Sequence, residues 1–347
     1  MSKVAQELLD WYHNQSYSFP WRKDYNGYKV WISEIMLQQS QVNVVMPYYN
    51  KWMKKFPDIN QLSQASLDDL LLLWQGLGYY NRVKNIFETT KIIQKNHNGK
   101  IPNDYNHLIA LKGIGDYTAS AILAIGFNMK AIPVDGNIKR VISRLHELSV
   151  TQYQITVIKE WAKEYISDSN PRDSVQSLMD LGREICKPKN PNCSICPVNT
   201  HCLSYKNRTT YLYPLKKEHK KIPQYNVIVG LIKKNNKFLI SKRLKHKLLG
   251  GLWELPGGKI QKGESEIKCL KREIKEELDI TVDIIKKLGI VNHQYSHFKI
   301  NITLYECHYK LGMAKALESD EIQWITKNQK NQFAFPSSTH KLFKLIN

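Results

Sequence analysis

Two carboxylates, four thiols and a glycine turn carry the chemistry legible in this sequence. Glu34 lies in VWISEIMLQQSQV, among Trp31, Ile35 and Met36 on a strongly apolar stretch of helical period. An acid in such a setting is either ion-paired or keeps its proton above the ordinary carboxylate range. Asp135 follows an extended, proline-containing stretch in AIPVDGNIKR and precedes another helical pattern. The positive end of a helix keeps a carboxylate there ionised. One acid that holds a proton and one that holds a charge match a general acid and a charge stabiliser at a glycosidic bond. The alternatives are a buried ion pair for Glu34 and a purely structural cap for Asp135.

Four of the six cysteines, Cys186, Cys193, Cys196 and Cys202, crowd into CKPKNPNCSICPVNTHC with six, two and five residues between them. Structural disulfides are rare in cytosolic proteins, so the crowding points to metal. Zinc and an iron–sulfur cluster both accept four thiolates. Zinc ribbons usually present two Cys-x2-Cys knuckles. This run has one knuckle and two unequal arms, which favours a single compact [4Fe-4S] cubane. In LKGIGDYTASAI, Gly113 and Gly115 divide two helical segments. Backbone N–H groups left open at a helix start favour an anion. A helix, hairpin, helix unit of this kind grips a DNA backbone without reading its sequence. The alternative is a plain turn between helices.

The elements that must position these groups fall into two textures. Residues 1–205 are read as helical, with helical-period segments near 2–13, 30–54, 66–75, 82–96, 115–126, 136–148, 155–167 and 173–185. The basic, proline-containing stretch from residue 204 to 224 lacks that period, and 206–224 is read as a linker. Residues 225–347 then alternate runs rich in β-branched and aromatic residues, such as YNVIVGLIKK, KFLISKR, ITVDIIKKLG, KINITLYECHYK and EIQWIT, with one helix pattern, SEIKCLKREIKEEL. The expected fold is therefore an all-α region carrying the cysteine loop, followed by an α+β domain. The length of 347 residues suits two or three domains. No apolar run is long enough for a membrane span, and the amphipathic N-terminus is unlike a signal peptide, so a cytoplasmic protein is expected. Lys and Arg number 51 against 31 Asp and Glu, a formal charge of +20. Such a balance attracts phosphate polymers, although a lysine-rich proteome gives the same numbers.

Taken together, the pieces resemble the helix-hairpin-helix DNA glycosylase superfamily, specifically adenine DNA glycosylases of the MutY type. The match runs over almost the whole chain, through SEIMLQQSQV, WQGLGYYNR, LKGIG, VDGNIKRV and the 6–2–5 cysteine spacing. The resemblance implies a monomeric hydrolase acting on double-stranded DNA at 8-oxoguanine:adenine and guanine:adenine mispairs. It implies that Glu34 protonates an extruded adenine at N7, that Asp135 stabilises the sugar cation, and that Asn137 orients both. Gln39 is expected to slip into the duplex and Tyr79 to wedge the stack. Bifunctional relatives hold a lysine where this chain has Tyr117. Without that amine no imine forms, so a monofunctional enzyme is expected. The Tyr117 phenol is expected to bond Asp135 or the sugar, or merely to pack.

The same family carries a C-terminal domain similar to Nudix hydrolases. Tyr295, Ser296 and His297 match its Phe-Ser-His lesion-reading loop with Tyr in place of Phe, which implies that Ser296 and His297 meet the 8-oxoguanine. The domain also holds a near-complete Nudix box from Gly258 to Ile280, departing only where Asp279 replaces the last glycine. Glu273, Glu276 and Glu277 fall on one helix face, where magnesium and a pyrophosphate would relieve their repulsion. Hydrolysis of oxidised nucleoside triphosphates is therefore an additional possible activity, set against a plain solvated helix balanced by its lysines. Rival readings are a thymine-mismatch or endonuclease III-like glycosylase, a nucleotide-pool hydrolase tethered to DNA, and a catalytically silent mismatch binder.

Overall fold

The computed structural model describes residues 2–15, 17–150, 154–215 and 222–346. The chain divides into two compact units, Met1–Gln64 with Asn85–His219, and Ala65–Lys84 with Lys220–Asn347. The segment 65–84, placed within 1–205 by the sequence reading, thus groups with the C-terminal part. Of the expected linker, residues 216–221 lie outside the described residues. Among the described residues no helix is long and apolar enough to cross a membrane.

The first unit is helical. The expected single helix over 30–54 is two, Gly27–Leu37 and Val42–Lys55, separated where Gln39 takes a left-handed backbone at φ 57°. The helix Asp116–Ala121 passes into a wide π-helical turn, Ile122–Gly126. The helices Gly136–Leu145 and Pro171–Glu184 pack so closely that a side chain at Gly182 would meet Asn137 Cβ at 2.6 Å. That close approach brings the residues around Asp135 against the end of the helix that leads into the cysteine loop.

The second unit is a mixed sheet with helices on both faces. Its strands are β1 (Gln224–Lys234), β2 (Lys237–Arg243), β3 (Trp253–Glu254), β4 (Gly257–Lys259), β5 (Thr281–Gln294), β6 (Lys299–Leu311) and β7 (Ser319–Thr326). The order is β3-β2-β1-β6-β5, with β4 beside β1 and β7 beside β2. Only β1 and β6 run parallel among these pairs. The period of two along β1 sends Ile228 and Ile232 to one core with Leu270, Ile274 and Leu278 of the helix Glu266–Leu278. It sends Val229 and Leu231 to the other, with Phe335, Leu342 and Phe343. Strands β3 and β4, two and three residues long, are too short to show a period in the sequence.

The segment 65–84 joins this unit through polar contacts. Lys242 pairs with Asp68 at 2.7 Å. The Phe335 N–H donates to Gln75 Oε1 at 2.9 Å. Ser296 Oγ donates to the Tyr79 hydroxyl at 2.6 Å.

Candidate active site

Glu34 is on the helix Gly27–Leu37, which begins at Asn26, whose side chain accepts from the Lys29 N–H. Nearly every position of that helix is buried, and Glu34 is 6% exposed. Its one side-chain hydrogen bond among the described residues comes from the Tyr117 hydroxyl, which donates to Oε2 at 2.5 Å. Burial drives the Glu34 pKa from the ordinary carboxylate value up to about 7. The Tyr117 bond and the Arg22 charge oppose that rise, and the Asp135 charge adds to it. Among the described residues no cation is ion-paired with Glu34, and the Arg22 charge acts on it without a hydrogen bond.

Among the described residues the Tyr117 hydroxyl bonds Glu34, a partner the sequence reading did not name. Its own pKa is pushed far upward, first by burial and then by the Glu34 charge, so the hydroxyl keeps its proton and acts as a donor.

Asp135 caps the helix Gly136–Leu145. Its Oδ1 accepts from the Ile138 N–H at 2.7 Å and its Oδ2 from Asn137 Nδ2 at 2.8 Å. Those donors and Arg140 pull its pKa down, yet burial outweighs them and the net direction is upward.

Glu34, Tyr117, Asp135, Asn137 and Gln39 all line one cavity of about 340 Å³. That volume falls in the range of small-molecule pockets, roughly 300–1,000 Å³. The same wall holds Arg22 and Asp180, which the sequence reading passed over, as it did Arg140 and Arg144 on the helix that Asp135 caps. Arg22 donates to both oxygens of Asp180, at 2.6 Å and 3.0 Å, with side chains 12% and 2% exposed. Arg140 donates from Nη2 to Asn137 Oδ1 at 2.8 Å and from Nε to the Cys186 carbonyl at 2.6 Å. Arg144, one turn further on, donates from Nη1 to Cys186 Sγ at 3.3 Å and to the Lys187 carbonyl at 2.8 Å. The signal for the last two was present, since arginines at i and i+4 of an amphipathic helix share a face. Nothing local announces the Arg22–Asp180 pair, which joins residues 158 positions apart.

Cys186, Cys193, Cys196 and Cys202 line a single pocket with Arg144, Leu145, Leu181 and Val198, and none is in a disulfide. Among the described residues no three His, Cys, Asp or Glu side chains converge closely enough to hold one metal ion. Four thiols around one pocket are the donor set that an iron–sulfur cluster takes. Bound there, the cluster would supply iron–thiolate bonds that close the loop 186–202 on itself.

Gly113 takes a left-handed backbone at φ 80°, and a side chain there would meet Asn85 Cβ at 2.6 Å. Gly115 is extended and precedes the helix Asp116–Ala121. In the second unit Tyr79 is left-handed at φ 50° and 40% exposed, and Ser296 and His297 are exposed. Among the described residues the three box acids do not form a group that would hold a metal ion. Arg272 takes Glu273 at 2.8 Å and Glu276 at 2.9 Å, while Glu277 turns inward and accepts from the Gly257 N–H at 3.0 Å. Asp279, the departure from the box, adopts the left-handed conformation at φ 56° that ends this helix and for which glycine is the usual choice.

Family models match three stretches: an HhH-GPD superfamily base excision DNA repair protein over 32–165, the iron-sulfur binding domain of endonuclease III over 186–202, and a NUDIX domain over 227–345. An adenine DNA glycosylase of Buchnera aphidicola subsp. Schizaphis graminum is 38% identical over 86% of this chain and 85% of its own. One from Homo sapiens is 27% identical over 97% of this chain and 73% of its own. A solved thermostable thymine-DNA glycosylase is similar with a TM-score of 0.55 and 26% identity, covering 58% of this chain and 95% of that one. The chain belongs to the adenine DNA glycosylase family, and it is a DNA N-glycosylase with an iron–sulfur cluster and a C-terminal Nudix-like domain.

Proposed function

We propose that this chain removes adenine mispaired with 8-oxoguanine or guanine by hydrolysing its N-glycosidic bond, leaving an abasic site and an uncut strand. The observation that carries the reading is the unequal donor set of two acids in one cavity. Asp135 accepts two well-formed hydrogen bonds from the start of its helix, whereas Glu34 accepts one from a phenol. Of two nearby carboxyls, the one with more donors keeps the charge and the other keeps the proton. Glu34 then delivers its proton to N7 of the extruded adenine, and the base leaves as a neutral group. Asp135 offsets the positive charge that develops on the sugar and directs water to it. Asn137, held by Arg140, orients Asp135.

Tyr117 has no amine, so the sugar is not captured as an imine and strand cleavage is not coupled to base release. Gly113 and Gly115 grip the backbone, Gln39 and Tyr79 enter the stack, and Ser296 and His297 read the 8-oxoguanine. The cluster is a [4Fe-4S] cubane on the four cysteines. The catalytic part is 1–205, the connection 206–224 and the lesion-reading domain 225–347, acting as a monomer in the cytoplasm.

Single-turnover assays on duplexes with adenine or thymine opposite 8-oxoguanine or guanine test the reading. Adenine release is expected, with strand breaks appearing only after alkali. Preferential thymine release, or breaks without alkali, would overturn it.

A further inference from the structure

The catalytic cavity also holds a cation that the reaction above does not use. Arg183, on the helix Pro171–Glu184, lines the cavity that contains Glu34 and Asp135. Its guanidinium stands 4.8 Å from the ring centre of Tyr17 and 4.6 Å from that of Phe19. These rings belong to a stack. Tyr17 lies on Phe19 at 5.9 Å and Phe19 on Trp21 at 5.5 Å, with planes 12° and 7° apart. The three aromatics alternate along YSFPW, which runs into the 3-10 turn Pro20–Arg22. Trp21 is buried in the cavity wall and Tyr17 is partly exposed, so the stack runs from the interior to the rim.

The guanidinium shares its partners. Its Nε donates to Glu184, a partly exposed carboxylate, at 2.6 Å. Its Nη2 stands 3.1 Å from Asp180 Oδ1. Both Asp180 oxygens also accept from Arg22, so one buried carboxylate serves two guanidinium groups. Flat aromatic faces hold a planar guanidinium in a fixed orientation, and the fork matches phosphate oxygens.

We propose that Arg183, backed by the Tyr17–Phe19–Trp21 stack, is a phosphate-binding subsite at the rim of the catalytic cavity. It takes one of the two phosphodiesters flanking the extruded adenosine. The inference rests on the glycosylase reading of the cavity. A nucleotide turned out of the duplex carries its phosphates to the mouth of the pocket. The acids inside repel them, and a cation at the rim offsets that repulsion. In the free protein Glu184 competes for the same guanidinium.

Binding of the full-length protein is measured on a duplex with a non-hydrolysable adenosine analogue opposite 8-oxoguanine. The phosphates flanking the analogue are left native or replaced, one at a time, by neutral methylphosphonates. Arg183→Gln is expected to weaken binding to the native duplex roughly 10-fold and to lower the salt slope by about 1. One methylphosphonate is expected to weaken the wild type similarly and to leave Arg183→Gln unchanged. Glu184→Gln removes the competitor, so it tightens the native duplex ~3-fold and leaves that methylphosphonate duplex unaffected. If Arg183→Gln does not fold, the Glu184→Gln comparison decides alone. Equal losses in variant and wild type at both positions overturn the subsite, as does a defect confined to the rate of adenine release. Adenine release by the wild type from an unmodified duplex is followed in parallel. Its failure would end the glycosylase reading, whereas its success alongside additive losses would end only the subsite.

Discussion

Both units gather carboxylates, but they treat them differently. In the first, Glu34 is enclosed with a phenol as its side-chain partner and opens on a cavity that also holds Asp135. In the second, Glu264, Glu273 and Glu276 gather on the single guanidinium of Arg272, and Glu254 takes both of its bonds from Arg243. Burial raises Glu34 to about 7 and Glu277, beside the Glu254 charge, to about 8. A raised pKa is therefore common to both regions and does not identify catalysis. What sets Glu34 apart is the pairing of its held proton with a second acid, supplied with backbone and amide donors, on the wall of the same cavity.

Removing the proton donor is the most severe way to test that contrast. Glu34→Gln keeps the shape and a hydrogen-bonding group but cannot deliver a proton to N7. We expect single-turnover adenine release to fall by about 10³-fold or more, with duplex binding nearly unchanged. Release at an undiminished rate would reduce Glu34 to the same structural role as the acids around Arg272. Asp135→Asn keeps an acceptor for the Ile138 N–H and loses the charge. A fall of roughly 10²–10³-fold is expected, because one preorganised electrostatic group at a developing charge contributes about that much.

The pH dependence is the next largest effect. In the proposed reaction Glu34 acts in its protonated form, so the single-turnover rate is expected to fall as pH rises through about 7, about tenfold per unit beyond it. Stability follows the same sign. A carboxyl whose folded pKa is raised contributes most when protonated, and that contribution is lost between the ordinary carboxylate value and about 7. Glu34→Gln carries no such titration. Relative to their difference at pH 4, the variant is expected to gain up to about 3 kcal/mol on the wild type by pH 9, read from denaturant unfolding. A rate that rises through this range would place the proton elsewhere.

The two regions were also unequally legible in the sequence. Glu34 and Asp135 were readable because each is defined by its near neighbours, an apolar helix in one case and a turn before a helix in the other. The cysteines were readable because their spacing is local. The strands β1, β2, β5, β6 and β7 announced themselves by β-branched and aromatic runs. Legibility ended where a partner lies far along the chain. Tyr117 finds Glu34 across 83 positions, and neither segment names the other. The break between Leu37 and Val42 carries no glycine or proline, only a left-handed Gln39 that tertiary packing imposes. The grouping of 65–84 with the C-terminal unit depends on contacts such as that between Gln75 and Phe335, 260 positions apart. The box acids show the converse. Their spacing was readable, but the spacing gives no hint that Arg272 occupies two of them and Gly257 the third.

The smallest expected effect comes from the second unit, and it bears on what a retained motif means. Glu277→Gln removes a carboxyl whose pKa, like that of Glu34, burial drives upward. If the comparison holds, adenine release changes by no more than about 2-fold, since no step of the reaction passes through this group. Stability should respond instead. With a folded pKa of about 8, Glu277 loses its contribution between the ordinary carboxylate value and about 8, so the variant's melting temperature should rise relative to the wild type's across that range. Magnesium should leave both melting temperatures unmoved, because a cation would first have to displace Arg272 from Glu273 and Glu276. A magnesium-dependent rise in the wild type alone, with release of pyrophosphate from an oxidised nucleoside triphosphate, would show that the guanidinium yields its acids to metal. The second unit would then hold a working site and not only the outline of one.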